Sequence, residues 1–131
     1  SQDQMNNRRN VAVIANKIGD ALTAAGRNEE ALAKYESSLE LRKQFFEEEP
    51  NDRTKRDLAV SHHLTAKCQC RLKRWDAAEQ NAAKSVSLIQ DLVQANADQG
   101  GRDNRAVRDL ATFDKALSEI KAAKASGTPC S

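Results

Sequence analysis

The chain has 131 residues, of which 39% are hydrophobic and 31% are charged, a composition that suits a single soluble domain with a packed core. Its net charge of +2 and its aromatic content of 4% argue against a nucleic-acid binder, and no long uncharged apolar run is present to span a membrane. Five glycines and two prolines among many Ala, Leu, Lys, Glu, Arg and Gln residues predict an all-α protein.

The first predicted helix pair precedes the break EEEPND at 47–52. Four apolar residues at spacings of three and four predict one face of a first helix that ends near Gly26. A second apolar stripe, from Ala31 to Phe46, predicts a second helix, and the short connection through Gly26 indicates that the two are antiparallel. The residues of the first stripe are Val11, Ile14, Ile18 and Leu22.

The second predicted helix pair repeats this plan. One helix begins at Leu58 and ends near Leu72, the turn KRWD follows, and another apolar stripe continues to Val93. The two pairs align when the sequence is shifted by 47 positions, and the matches fall where a repeated hairpin needs them. They include Arg9 with Arg56, Ala12 with Ala59, Ala31 with Ala78, and Ser38 with Ser85.

After the break NADQGGRDN at 96–104, the segment RDLATF at 108–113 echoes RDLAVS at 56–61. A single helix is predicted here, after which ASGTPCS ends the ordered chain; a lone last helix of this kind caps a stacked array. We therefore expect one domain over 1–131, with repeats at about 9–50 and 56–97 and a capping helix at about 105–124. Because residue 1 is not Met, the chain is expected to be processed or cut from a larger protein.

The stretch NKIGDALTAAGRNEEALAKYESSLEL, residues 16–41, resembles a tetratricopeptide repeat (TPR). The small residues of the family match Gly19 and Ala31, its aromatic residue matches Tyr35, and its turn glycine matches Gly26. The second repeat is degenerate, and the period of 47 exceeds the family's usual length of about 34, as in long variants similar to kinesin light chains and bacterial repeat proteins. The resemblance implies an α-solenoid of two antiparallel hairpins and a capping helix, five helices in all.

The resemblance also assigns residues to packing between helices. Gly19 and Ala31 are expected where the two helices of a hairpin approach closely, and Tyr35 and Trp75 are expected to fill space between hairpins. The full packing set is Ile18, Gly19, Leu22, Ala31, Tyr35, Leu58, Trp75 and Ala78.

The segment RDLAVSHHLTAKCQC at 56–70 invites interpretation as a metal or redox site. On a helix, however, His63 and Cys70 are about 10.5 Å apart along the axis, too far for one metal with bonds of about 2 Å. We therefore expect neither a metal nor a cofactor, and since no Gly-rich phosphate loop, HExxH or GxSxG motif occurs, we expect no enzyme. Three cysteines, an odd number, favour a reducing compartment and thus the cytoplasm.

In the TPR family, the first helix of each hairpin lines a concave groove that binds peptides. Lys67 and Arg71 are one helical turn apart and could pair with a carboxylate, so the expected function is a scaffold that binds a protein or peptide with an acidic segment. The alternative is self-association of a larger multidomain protein, through the face beyond the last helix or through the extended second helices. The groove residues implied by the resemblance are Asn16, Asp20, Thr23, His63, Lys67, Cys70, Arg71, Lys115 and Glu119, with Val13, Val60 and Thr112 beside them.

Overall fold

The computed structural model describes residues 2–98 and 105–131, and these residues form five helices without a β-strand. The predicted all-α class is therefore confirmed. The first helix begins at Gln2 rather than near residue 9, and most of the break at 96–104 lies outside the described residues. The helices are α1 (Gln2–Ala24), α2 (Asn28–Glu48), α3 (Asp52–Arg71), α4 (Trp75–Asp98) and α5 (Arg105–Ser126).

The connections between the helices follow from local chemistry. The turn after α1 contains Gly26 at φ 77°, a conformation that glycine adopts without strain, whereas Lys73 adopts φ 61° between α3 and α4. At the start of α3, the side chain of Asn51 accepts a hydrogen bond from the amide of Thr54, whose hydroxyl accepts one from the amide of Asn51. This reciprocal cap fixes the point where the chain leaves the break at 47–52 and enters α3.

Helix α3 lies at the centre of the fold, because it packs against α2, α4 and α5. Each of the three apolar clusters in the described chain includes a residue of α3: Cys68 in the cluster with α2, and Ala59 and Ala66 in the clusters with α4 and α5. Small side chains at these positions let the neighbouring helices approach closely.

The packing residues lie mainly in these contacts. Ala31 and Ala78 are fully buried, and Tyr35 and Leu58 are nearly so. A Cβ atom added to Gly19 would lie 2.7 Å from the Tyr35 ring, which explains why this position carries no side chain. Two further residues are half-buried: Leu22 packs against the α2–α3 cluster, and Trp75 packs against the α3–α4–α5 cluster.

The assignment of Ile18 to repeat packing is wrong, since this residue is 41% exposed. Helix α1 instead buries the small residues Ala12, Ala15 and Gly19, and it packs against α2. The reason is the close contact between the helices: Ser38 donates a hydrogen bond to the backbone carbonyl of Ala12, so there is no room for a large side chain between them.

Among the residues that the structure describes, no helix has the length and apolar character required to cross a membrane.

Replacing Ala31 with Leu tests the close packing between helices. Ala31 is fully buried, whereas Ala33, two positions further along α2, is exposed. We expect Ala31→Leu to lower the free energy of unfolding by about 1–3 kcal/mol through overpacking. The matched variant Ala33→Leu should leave it within about 0.5 kcal/mol of wild type. Urea denaturation of both variants measures the difference, and equal stabilities would contradict the packing described here.

Candidate functional site

Part of the predicted groove forms a cleft between α1 and α3 with a volume of about 160 Å³. Four of its residues were predicted from the TPR resemblance. The other two are Tyr35, which the sequence assigned to packing, and Leu64, which it assigned to no site. The lining residues are Asp20, Thr23, Tyr35, Leu64, Lys67 and Arg71.

Hydrogen bonds hold the α1 side of this cleft in place. The Tyr35 hydroxyl donates to the Asp20 carboxylate at 2.5 Å, and the Thr23 hydroxyl donates to the backbone carbonyl of Gly19 at 2.9 Å. Burial, followed by the hydrogen bond to Asp20, raises the pKa of Tyr35 to about 12. The phenol therefore stays protonated at neutral pH and keeps the carboxylate oriented.

The α3 side of the cleft is basic. Lys67 is exposed and Arg71 is half-buried, and neither forms an ion pair within the described chain. The Nε atom of Arg71 is also buried without a hydrogen-bond partner. By contrast, Arg42 pairs with Asp57 at 3.1 Å and so has its charge compensated inside the fold. Lys67 and Arg71 thus bring two positive charges to the cleft, which Asp20 also lines, and neither is held in an ion pair within the described residues.

Asn16 lies one turn before Asp20 on α1 but does not line the cleft. Its Oδ1 atom is buried and has no hydrogen-bond partner among the described residues. Buried polar atoms are nearly always hydrogen-bonded, so this oxygen is available to a donor on a ligand or to a water molecule. The structure therefore leaves Asn16 beside the cleft as a residue with an unmet hydrogen bond.

The prediction that His63 faces the groove is wrong. The residue is only 8% exposed, and its ring stacks on Phe113 of α5 with 4.4 Å between ring centroids. Burial, followed by the charge of Lys67, lowers the pKa of His63 to about 4, although Asp109 acts in the opposite direction. Helix α5 covers this part of α3, and a neutral histidine serves there as an aromatic packing residue.

The prediction that Cys70 faces the groove is also wrong. Cys70 is fully buried and forms a disulfide bond with Cys130, which lies 60 positions further along the chain. The terminal segment is held by two further contacts: the Cys130 amide donates to the carbonyl of Cys70, and the Trp75 indole donates to the carbonyl of Thr128. The segment at 125–131 was expected to lie beyond the ordered chain, and instead it packs against α3 and α4.

The signal for this bond was present in the sequence. Three cysteines still allow one disulfide and one free thiol, so the odd count did not exclude a pair. The free thiol is Cys68, which is buried and donates to the carbonyl of Asn28 at 3.4 Å. Burial raises the pKa of Cys68, which keeps it in the unreactive thiol form.

Lys115 and Glu119 of the predicted groove set lie apart from the cleft. Their side chains face each other across 3.9 Å on the exposed surface of α5. Glu119 lines a different depression, next to the C-terminal segment that contains Thr128 and Cys130. The structure therefore does not bring these two residues together with Lys67 and Arg71.

The remaining histidine, His62, is hydrogen-bonded inside the core. Its Nδ1 atom lies 2.9 Å from Oδ1 of Asn81, whose amide group donates to Gln69. Burial lowers the pKa of His62, which favours the neutral ring. Within residues 2–98 and 105–131, no three His, Cys, Asp or Glu side chains are grouped so that they could hold a metal ion.

Comparison with known proteins adds no assignment: no family model, no curated protein and no solved structure matches this chain.

Removing the disulfide tests the anchoring of the terminal segment. For a loop of 60 residues, the loss of chain-closure entropy predicts that Cys130→Ser lowers the free energy of unfolding by about 4 kcal/mol. Thermal denaturation of the variant and of the oxidised wild type measures this difference. Thiol titration of the unreduced, denatured protein provides the control and should detect one thiol, Cys68. Three thiols would contradict the bond.

The low pKa of His63 predicts that stability depends on pH. The unfolded chain takes up a proton near pH 6.5, whereas folded His63 does so only near pH 4. The burial of neutral His63 therefore imposes no protonation penalty on folding above about pH 6.5. As pH falls from 6.5 towards 4, the free energy of unfolding decreases by about 3 kcal/mol in total. His63→Phe keeps a ring against Phe113 and should flatten this profile in urea denaturation between pH 7 and 4. An unchanged slope would contradict the buried neutral histidine.

Proposed function

We propose that the chain is a non-catalytic interaction module that binds an acidic segment of a peptide or protein in the cleft between α1 and α3. The observation that carries this proposal is the pair of cations on one wall that form no ion pair within the described residues. Lys67 and Arg71 lie on adjacent turns of α3, and Nε of Arg71 has no partner. A carboxylate placed between them would receive charge-assisted hydrogen bonds from both.

The α1 wall of the cleft would set the orientation of a bound segment. Asp20 is held by the Tyr35 hydroxyl and can accept a hydrogen bond from a backbone amide of a bound segment. Leu64 lines the cleft from the α3 side and offers an apolar contact. A segment bound in this way would place an acidic side chain towards α3 and a backbone donor towards α1.

The size of the cleft favours a segment of a larger ligand over an enclosed small molecule. Its volume of about 160 Å³ is below the range of about 300–1,000 Å³ typical of small-molecule sites. A cleft of this size accommodates one or two side chains, which is how peptide grooves achieve selectivity along an extended surface.

We also propose that the five helices are arranged as in a TPR-like superhelix. Its support is the order of two hairpins followed by one helix, with Gly19 against Tyr35 and fully buried Ala31 and Ala78 at the small positions. The cytoplasmic location stays a prediction from the cysteine count. The Cys70–Cys130 bond supports an oxidising compartment instead, because such bonds are rare in the cytosol.

Self-association through the face beyond the last helix is the alternative, and it has less support. The only large hydrophobic residue exposed on α5 is Val107, and the exposed charged residues of the same helix include Arg108, Asp114 and Lys121. A stable homodimer interface would need a larger apolar area than this surface offers.

The test is the capture of a labelled peptide that contains a run of glutamates. We expect the double variant Lys67→Glu/Arg71→Glu to weaken binding at least tenfold, because it removes both cations and introduces repulsion. Fluorescence anisotropy at low and physiological salt measures the affinity, and circular dichroism confirms that the variant is folded.

The control variant is Lys84→Glu/Lys121→Glu, which changes the net charge by the same amount at exposed positions outside the cleft. It should bind within about twofold of wild type at physiological salt, since charges further than a Debye length of about 8 Å are screened. Equal loss in both variants would mean that net charge, rather than the cleft, attracts the peptide.

A further inference from the structure

Helix α1 exposes an apolar stripe that the proposed cleft does not use. Val11, Ile14 and Ile18 are 55%, 54% and 41% exposed. They lie at spacings of three and four, so their side chains form one continuous face along two turns of the helix. Within the described chain, the only other large hydrophobic residues with comparable exposure are Val13 and Val107.

This stripe lies on a different side of α1 from the cleft. Asp20 follows Ile18 by two positions, so the two side chains point about 160° apart around the helix. Asp20 and Thr23 line the cleft, whereas none of the three stripe residues does. The stripe is therefore a separate surface.

The internal repeat indicates what kind of element fits this surface. With the shift of 47 positions, Val11, Ile14 and Ile18 correspond to Leu58, Ser61 and Thr65 of α3, which are 6%, 1% and 1% exposed.

This face of α3 also carries Cys68, which lies one turn after Thr65. Cys68 packs against Leu32 and Tyr35 of α2. On α3 this face is covered by α2, whereas the corresponding face of α1 is exposed among the described residues.

The uncovered face is the more apolar of the two. Ile14 and Ile18 stand where α3 has Ser61 and Thr65. An isoleucine that stays in water contributes nothing to folding, and contiguous exposed apolar residues are typical of sites that contact another protein. A helix that packs here as α2 packs on α3 would bury all three side chains.

The charged residues around the stripe indicate which charges a helix docked on it should carry. Lys17 lies one turn from both Ile14 and Ala21, and Lys34 lies on the side of α2 turned away from Leu32 and therefore from α3. Neither lysine forms an ion pair in the described chain, whereas two acids of α2 are engaged. Glu48 pairs with Arg8, and Glu30 pairs with Arg27.

These charges argue against a second copy of the chain as the occupant. Two copies joined through this face would bring Lys17 and Lys34 close to the same lysines of the other copy, which would repel them. An amphipathic helix with acidic residues beside its apolar stripe complements both the stripe and the lysines.

We propose that Val11, Ile14 and Ile18 form a second docking surface, which binds an amphipathic helix of a partner protein whose apolar stripe is flanked by acidic residues. This surface is independent of the cleft, so the chain would contact partners through two faces of α1.

The probe is a synthetic 21-residue helical peptide with one leucine stripe flanked by glutamates, compared with a matched peptide flanked by lysines. We expect wild type to bind the glutamate peptide at least tenfold more tightly than the lysine peptide. Ile14→Ser/Ile18→Ser and Lys17→Glu/Lys34→Glu should each weaken binding of the glutamate peptide at least tenfold. Isothermal titration calorimetry gives the affinities.

Two controls separate this surface from others. Val107→Ser removes a similarly exposed valine from α5, and Lys84→Glu/Lys121→Glu changes the net charge by the same amount as Lys17→Glu/Lys34→Glu at exposed positions outside the stripe and the cleft; both should bind the glutamate peptide as wild type does. Equal affinity for the two peptides, or loss of binding in either control, would overturn the proposal. A dimer detected by analytical ultracentrifugation and lost in Ile14→Ser/Ile18→Ser would also overturn it, because a second copy would then occupy the stripe.

Discussion

The burial of α3 between α2, α4 and α5 is the constraint on which the rest of the structure depends. Every apolar cluster in the described chain includes an α3 residue, and the four α3 residues in these clusters, Ala59, Ala66, Cys68 and Cys70, are fully buried. Because α3 is fixed on three sides, Lys67 and Arg71 project from a rigid support. A ligand that binds these cations does not have to order the helix that carries them.

The same burial explains why the reactive-looking segment at 56–70 is structural. His63 stacks on Phe113, His62 bonds to Asn81, and Cys70 bonds covalently to Cys130. Each of these residues connects α3 to a different neighbour: α5, α4 and the terminal segment. Polar side chains in a core must be satisfied or neutral, and the lowered pKa values of both histidines reflect that requirement.

The sequence predicted the all-α class and the order of the five helices, because apolar spacing and turn residues are local properties. It predicted that Asp20, Thr23, Lys67 and Arg71 belong to one groove, and the structure brings these four together. It did not predict which face of α1 is buried. Large apolar residues ordinarily mark the core, but here Ala12, Ala15 and Gly19 occupy the contact with α2 and Ile18 stays exposed.

The positions of His63 and Cys70 depended on contacts between distant parts of the chain. The TPR resemblance placed both on the groove side, and nothing in α3 alone indicates that Phe113 and Cys130 cover them. Lys115 and Glu119 failed to reach the cleft for the same reason, since the position of α5 against α3 is set by tertiary packing.

Amide chemical-shift mapping by NMR would locate the binding site of an acidic segment, which we propose to be the cleft between α1 and α3. In this experiment a glutamate-containing peptide is titrated into the isotope-labelled protein. We expect the largest shifts at Thr23, Leu64, Lys67 and Arg71, and we expect them to saturate together. Largest shifts at the arginine-lined pocket between α3, α4 and α5, where Arg53, Arg56 and Arg105 lie, would contradict it.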